Sequence, residues 1–212
     1  MKILTIGNTK GGVGKSTLAA NLAVAATLSG WKVALIDADV QASTMAWRQV
    51  RKSDDIQSFA ITTDTLHRDL PLIQGFDLLI VDAGGRDSPT FRSAIMACDL
   101  FIIPVLPSVY DVWAAEDTLK LLKDARVYRE IKSAILLNQL MPHTILAREA
   151  EEALLAYQEQ APLLSSRIAS RSAFKNSILT GCGVCETEPK GKAAAEILHL
   201  LSEVLTITGG IK

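Results

Sequence analysis

The sequence predicts a doubly wound α/β fold, a mostly parallel sheet with helices on both faces, on three grounds. Residues 2–7, 32–37, 77–82, 100–104 and 133–138 are apolar throughout instead of alternating with polar residues, as strands covered on both faces must be. Stretches with helical spacing of apolar residues separate them. The first strand runs directly into Thr9-Lys10-Gly11-Gly12-Val13-Gly14-Lys15-Ser16-Thr17, a glycine-rich loop that opens a helix. A sheet of this kind binds its ligand beyond the carboxyl ends of its strands, and Gly11, Asp39 and Asp82 all fall just past such ends.

The elements follow in order. The helix after the loop covers 14–29, with Leu18, Leu22, Ala25 and Ala26 on one face. Further helices are expected at 43–52, 88–97, 112–126, 145–160, 172–179 and 190–205. Residues 53–65 mix short apolar pieces with Ser, Asp and Thr and are expected to hold a short edge strand and a connecting loop. No linker, repeat or low-complexity tract divides the 212 residues, so residues 1–212 are expected to form one domain, and 49% hydrophobic content is enough for one substantial core.

A formal charge of −1 excludes a uniformly basic nucleic-acid binder, which leaves any DNA contact to a local patch. Met1 is followed at once by Lys2 and the first strand, leaving no room for a signal peptide or an N-terminal helix-turn-helix domain, and a cytoplasmic protein is expected. The apolar runs at 78–81 and 100–106 are strand length, far below the roughly 20 residues of a membrane span.

The loop carries the chemistry. Gly11, Gly12, Val13 and Gly14 let successive backbone N–H groups face an anion, and the helix adds its positive end. Lys15 supplies a mobile charge for β- and γ-phosphates, the Ser16 hydroxyl is placed for Mg²⁺, and Thr17 reaches the α-phosphate. The generic spacing wants a glycine where Thr9 stands, and a second lysine, Lys10, follows it. Asp82, after Leu78-Leu-Ile-Val, is placed to hold Mg²⁺ through water, while Asp37 is either structural or a more distant metal partner.

The variant loop, together with Val33-Ala-Leu-Ile-Asp37-Ala-Asp39-Val-Gln41, Asp77-Leu-Leu-Ile-Val-Asp82-Ala-Gly-Gly85 and Leu100-Phe-Ile-Ile-Pro104-Val-Leu-Pro107-Ser108, resembles the ParA/MinD family of deviant Walker A ATPases, most closely the small plasmid-type ParA proteins. Val40 departs from the proline many ParA proteins carry there. The resemblance implies an ATPase with weak basal activity that uses ATP and Mg²⁺ and closes into a homodimer on binding ATP. It gives Lys10 a reach across the two-fold interface to the other subunit's nucleotide. It makes Asp39 the residue that positions the attacking water or the metal, so that Lys10, Lys15 and Asp39 form the catalytic set and Ser16, Asp39 and Asp82 the metal set. Asn138 resembles an adenine-contacting asparagine, although an amide there equally caps a turn, and Asp111 lies where the family builds its interface.

By the same resemblance the dimer binds DNA non-specifically, associates with the nucleoid and is reset by a ParB-like centromere-binding partner. Arg167, Arg171 and Lys175, spaced every four residues, would line one side of a helix and touch DNA backbone if the segment is helical. Three alternatives stand beside this partition reading. A MinD-like positioning ATPase needs a basic amphipathic C-terminal helix, but the tail at 197–212 has almost no positive charge, so no membrane contact is expected. An iron–sulfur carrier would use Cys182 and Cys185 from each of two subunits. A ligase sharing the nucleotide site would need a second-substrate pocket that no linear motif marks.

Overall fold

The computed structural model describes residues 1–142 and 144–209. Seven strands form one sheet: β1 (Lys2–Ile6), β2 (Val33–Ala38), β3 (Gln57–Ala60), β4 (Leu78–Ala83), β5 (Leu100–Val105), β6 (Lys132–Leu140) and β7 (Leu163–Ala169). Their order is β3-β2-β4-β1-β5-β6-β7 and every pairing is parallel. β1 is central because its side chains are apolar on both faces: Leu4 and Ile6 point to one helical layer, Ile3 to the other.

The first layer holds α1 (Lys15–Leu28), α2 (Ser43–Val50), α7 (Ser172–Leu179), α8 (Val184–Thr187) and α9 (Lys192–Thr208). Ten of the fourteen residues of α1 are buried, so the helix has no solvated face of any width. Its alanines, Ala19, Ala20, Ala23, Ala25 and Ala26, are fully buried and permit close approach to sheet and α9. The opposite layer holds α3 (Leu66–Asp69), α4 (Pro89–Ala97), α5 (Val109–Ala125) and α6 (Ile145–Leu154), with Phe91 and Phe101 edge to face at 5.9 Å. Serine and threonine side chains start three of these helices: Ser88, Ser108 and Thr144 accept from the N–H groups of Phe91, Asp111 and Ala147.

Three expectations need correction. The helix expected over 145–160 ends at Leu154 and tightens into a 3₁₀ turn, Leu155–Tyr157, before the chain enters β7. β7 itself was not among the expected strands, because an edge strand buries only part of its length and its serines hide the pattern. Arg167 therefore lies on β7, Arg171 caps α7 and only Lys175 is within a helix, so the three cations do not share a helical face. In the C-terminal tail the apolar stripe of α9 is core, with Ile197, Leu200, Leu201 and Val204 buried; residues 210–212 lie outside those described. Among the described residues no helix is long and apolar enough to cross a membrane.

Candidate nucleotide and metal site

The carboxyl ends of β1, β2 and β4 converge on a cavity of about 890 Å³. Its walls are the loop from Gly11 to Thr17, Asp39 to Gln41 after β2, Gly84 to Arg86 after β4, and Trp47, Gln139 and Ile178 farther out. The volume is in the range of a site for a nucleotide-sized ligand.

Side chains hold the loop open from behind. Asn8 donates to Pro104 O at 2.9 Å and accepts from the Lys10 N–H at 2.9 Å. Thr9, standing where the generic motif has glycine, donates its N–H to the Thr118 hydroxyl of α5 at 3.1 Å. Its own hydroxyl lies 3.2 Å from the same Thr118 hydroxyl, so the threonine side chain adds to the tie between the loop and α5. Farther along, the fully buried Val13 gives its carbonyl to the Asn138 amide at 2.7 Å. Gly14 sits at φ +87°, where a side chain is strained, and a Cβ there would fall 2.5 Å from that amide nitrogen. With glycine at its N-cap, α1 has no side chain covering its first free N–H groups and no acidic residue in its first turn.

Asn138 is 3% exposed and its amide nitrogen is committed to Val13 O, so its visible role is to brace the loop. The neighbouring Gln139, exposed and at φ 52°, lines the cavity instead.

Lys15 is buried, and its Nζ donates to Lys10 O at 3.0 Å across the loop. Burial lowers its pKa, while the charges of Asp82 and Asp39 pull it back up. Asp37 is 1% exposed, and its carboxylate accepts from the N–H groups of Asp39, Thr44 and Met45 at 2.9–3.1 Å. This residue is structural: it caps α2 from outside the helix and fixes the backbone on which Asp39 stands. Asp39 faces the cavity and accepts from the Gln41 N–H at 3.0 Å.

Asp82 is different. It is 1% exposed, and neither carboxylate oxygen has a hydrogen-bond partner. Burial drives its pKa up to about 7; the nearby Ser16 hydroxyl and the Lys15 charge offset part of this, and Asp37 and Asp39 add to it. An orphaned buried carboxylate beside a hydroxyl at a phosphate loop fits a divalent cation, whose charge replaces the missing donors. Ser16 and Asp82 would hold Mg²⁺, which when bound neutralises charge on the phosphates.

Lys10 does not enter its own cradle. Its Nζ pairs with Asp111 Oδ1 of α5 at 2.9 Å, with the lysine side chain 36% exposed and Asp111 buried. Ser108 Oγ donates to the other carboxylate oxygen, fixing the acid in place.

The remaining sequence candidates are dispersed. Arg167 pairs with Glu151 of α6 and donates to Leu164 O, and Arg171 pairs with Glu196 of α9 at 2.6 Å. Lys175 is exposed, with no ion pair among the described residues. Cys185 is packed in the core between α8 and α9, where burial raises its pKa, and its Sγ faces Ala194 O at 3.9 Å; Cys182 is half-buried. The pair does not present two thiolates to one surface, which removes the donor set a shared cluster needs. Cys98, fully buried, has its pKa pushed up to about 12 by burial and is an apolar packing residue.

Residues 4–182 match the CobQ/CobB/MinD/ParA nucleotide binding domain. The chain is 31% identical to the maintenance of carboxysome distribution protein A of Halothiobacillus neapolitanus, over 95% of each chain. It is 24% identical to the chromosome-partitioning ATPase Soj of Thermus thermophilus, over 73% of this chain and 76% of that one. Among solved structures, apo McdA from Cyanothece superposes with a TM-score of 0.76 at 19% identity, over 98% of this chain and 99% of that one.

Proposed function

The chain belongs to the CobQ/CobB/MinD/ParA nucleotide-binding family, and from that premise we propose that it is a positioning ATPase of the partition type, an ATP-operated dimer that moves a cargo over DNA. It is a P-loop ATPase with ATP as substrate and Mg²⁺ as cofactor. The observation that carries the proposal is the placement of Lys10. Lys15 serves the chain's own cradle, whereas Lys10 stands at its rim, tethered to Asp111 and half exposed. A cation held at the rim of its own site serves the nucleotide of a second copy once it exchanges Asp111 for that phosphate, so ATP joins two subunits face to face and hydrolysis parts them.

Asp39 and Lys15 are the residues this reading assigns to turnover. Asp39 orients the attacking water and, with Ser16 and Asp82, attends the metal. Gly84 and Gly85 give the segment after β4 the freedom to meet the terminal phosphate through backbone N–H groups. Asn138 keeps the loop in register for the base and phosphates, with any adenine contact falling to its free oxygen or to Gln139.

For DNA, Lys175 is the exposed cation of the original trio, and Arg171 and Arg167 join it only by leaving Glu196 and Glu151. A partner on the cargo, ParB-like in a partition system, would stimulate hydrolysis and release the dimer. A protein assembly is the second reading for the cargo, favoured by the relative named for maintaining carboxysome distribution, which matches 95% of this chain. The Soj relative, named for chromosome partitioning, favours DNA as cargo.

The test is the mass of the Asp39→Ala protein in solution. With ATP it is expected to form a dimer that outlives the wild-type dimer by about tenfold or more, because binding survives while hydrolysis does not. With ADP it is expected to stay monomeric. A monomer in ATP, or a dimer lifetime equal to that of the wild type, contradicts the assignment of Asp39.

A further inference from the structure

Arg86 follows the Gly84-Gly85 turn at the end of β4 and lines the same cavity as the phosphate loop. It is exposed, and among the described residues it has neither an ion pair nor a hydrogen bond. The acid beside it is unavailable: Asp87 is held by Arg92 through two bonds of 2.7 Å. A cation without a counter-ion on the wall of an anion cradle is set up for charge that arrives with the ligand.

Its neighbour locates it within the cavity. A Cβ placed on Gly85 would stand 3.2 Å from Lys15 Nζ and 3.2 Å from Gly11 Cα. The residue before Arg86 therefore abuts the lysine and the loop that mark the terminal phosphates. Of the other cations there, Lys10 is already neutralised by Asp111 and Lys15 is shared with the fields of Asp82 and Asp39. Asp37 and Asp39 act on Asp82 and add negative charge behind the loop, so even with Mg²⁺ held by Ser16 and Asp82 a further cation would offset the charge that the reaction concentrates.

We propose that Arg86 is a catalytic residue for ATP hydrolysis, acting in the subunit that carries it by pairing with the terminal phosphoryl oxygens. This rests on the ATPase reading of the site. In the reaction the water oxygen forms a bond to the γ-phosphorus, and the bond from that phosphorus to the β–γ bridging oxygen breaks. ADP leaves with the electron pair, and the water proton passes to solvent with inorganic phosphate as product. Charge builds on the bridging and equatorial oxygens, and the planar guanidinium offers paired N–H donors to such oxygens. The two glycines before Arg86 give the backbone the freedom to bring its guanidinium onto the terminal phosphate when that group is present.

The experiment compares wild type, Arg86→Ala, Arg86→Lys and Lys15→Ala in single-turnover ATP hydrolysis and in binding of ADP and of ADP with aluminium fluoride, a mimic of the transferring phosphoryl group. For Arg86→Ala, turnover is expected to fall about 100-fold or more while ADP affinity stays within about twofold. Affinity for the fluoride complex falls with turnover, a readout that a merely structural residue would not move selectively. Arg86→Lys, which keeps charge without the fork, recovers less than about a tenth of the lost rate. Wild-type turnover in Arg86→Ala, or equal weakening of ADP and fluoride complexes, overturns the role of Arg86 alone. Absence of ATP hydrolysis in the wild type overturns the ATPase reading with it.

Discussion

Lys15→Ala is expected to remove ATP binding almost completely, weakening it about 100- to 1,000-fold in a calorimetric titration. The lysine is the cation inside the cradle, and each charge-assisted hydrogen bond to a phosphate is worth about 1.5–3 kcal/mol. Losing contacts to two phosphates therefore costs about 3–4 kcal/mol, which converts to the stated range. The loss is aggravated because Asp82 and Asp39, whose fields Lys15 balances, would then face the nucleotide unopposed. Stability without nucleotide should change little, since the side chain makes a single hydrogen bond, to Lys10 O. Retained affinity within about threefold would remove Lys15 from the cradle.

Arg51→Ala is expected to be the most damaging change away from the site. The side chain is 2% exposed and spends all five N–H donors: two on Asp55, two on Glu186 and one on Gly181 O, at 2.8–3.0 Å. Those bonds hold its pKa raised although burial opposes it. The guanidinium also lies 5.3 Å from the centre of the Trp47 ring. Removing one partner of a buried ion pair costs about 3–5 kcal/mol. The lower end applies, because Asp55 and Glu186 are 31% and 25% exposed and regain water. The melting temperature is expected to fall by about 6–12 °C. Trp47 lines the nucleotide cavity and donates to Cys182 O at 3.2 Å, so ATP affinity should drop as well. A melt within about 2 °C of wild type would show that the network is solvated and carries no net stability.

What could be seen beforehand follows from how local each signal is. The strands around β1 and the loop from Gly11 to Thr17 were legible because continuous apolar runs and glycine spacing are properties of adjacent residues. Asp37 stayed ambiguous because its partners, Thr44 and Met45, are reached only when α2 folds back over the end of β2. The Arg51 network was invisible for the same reason, since Glu186 lies 135 residues away. The condition for the basic trio, a helix through all three positions, is not met: spacing of four suggests a helix, but pairing with β6 takes residues 163–169 into the sheet. Arg86 had a signal, its position directly after two glycines at a strand end, whose meaning depends on the cavity that those glycines open onto.

The central claim is that ATP switches this chain between a free and a DNA-bound state. Its most direct test is retention of the purified protein on random-sequence duplex DNA with ATP, with ADP and without nucleotide, at low and moderate salt. The account predicts retention with ATP alone, weakening steeply as salt rises because the contacts are to phosphates. Equal retention in all three states, or none in any, would contradict it.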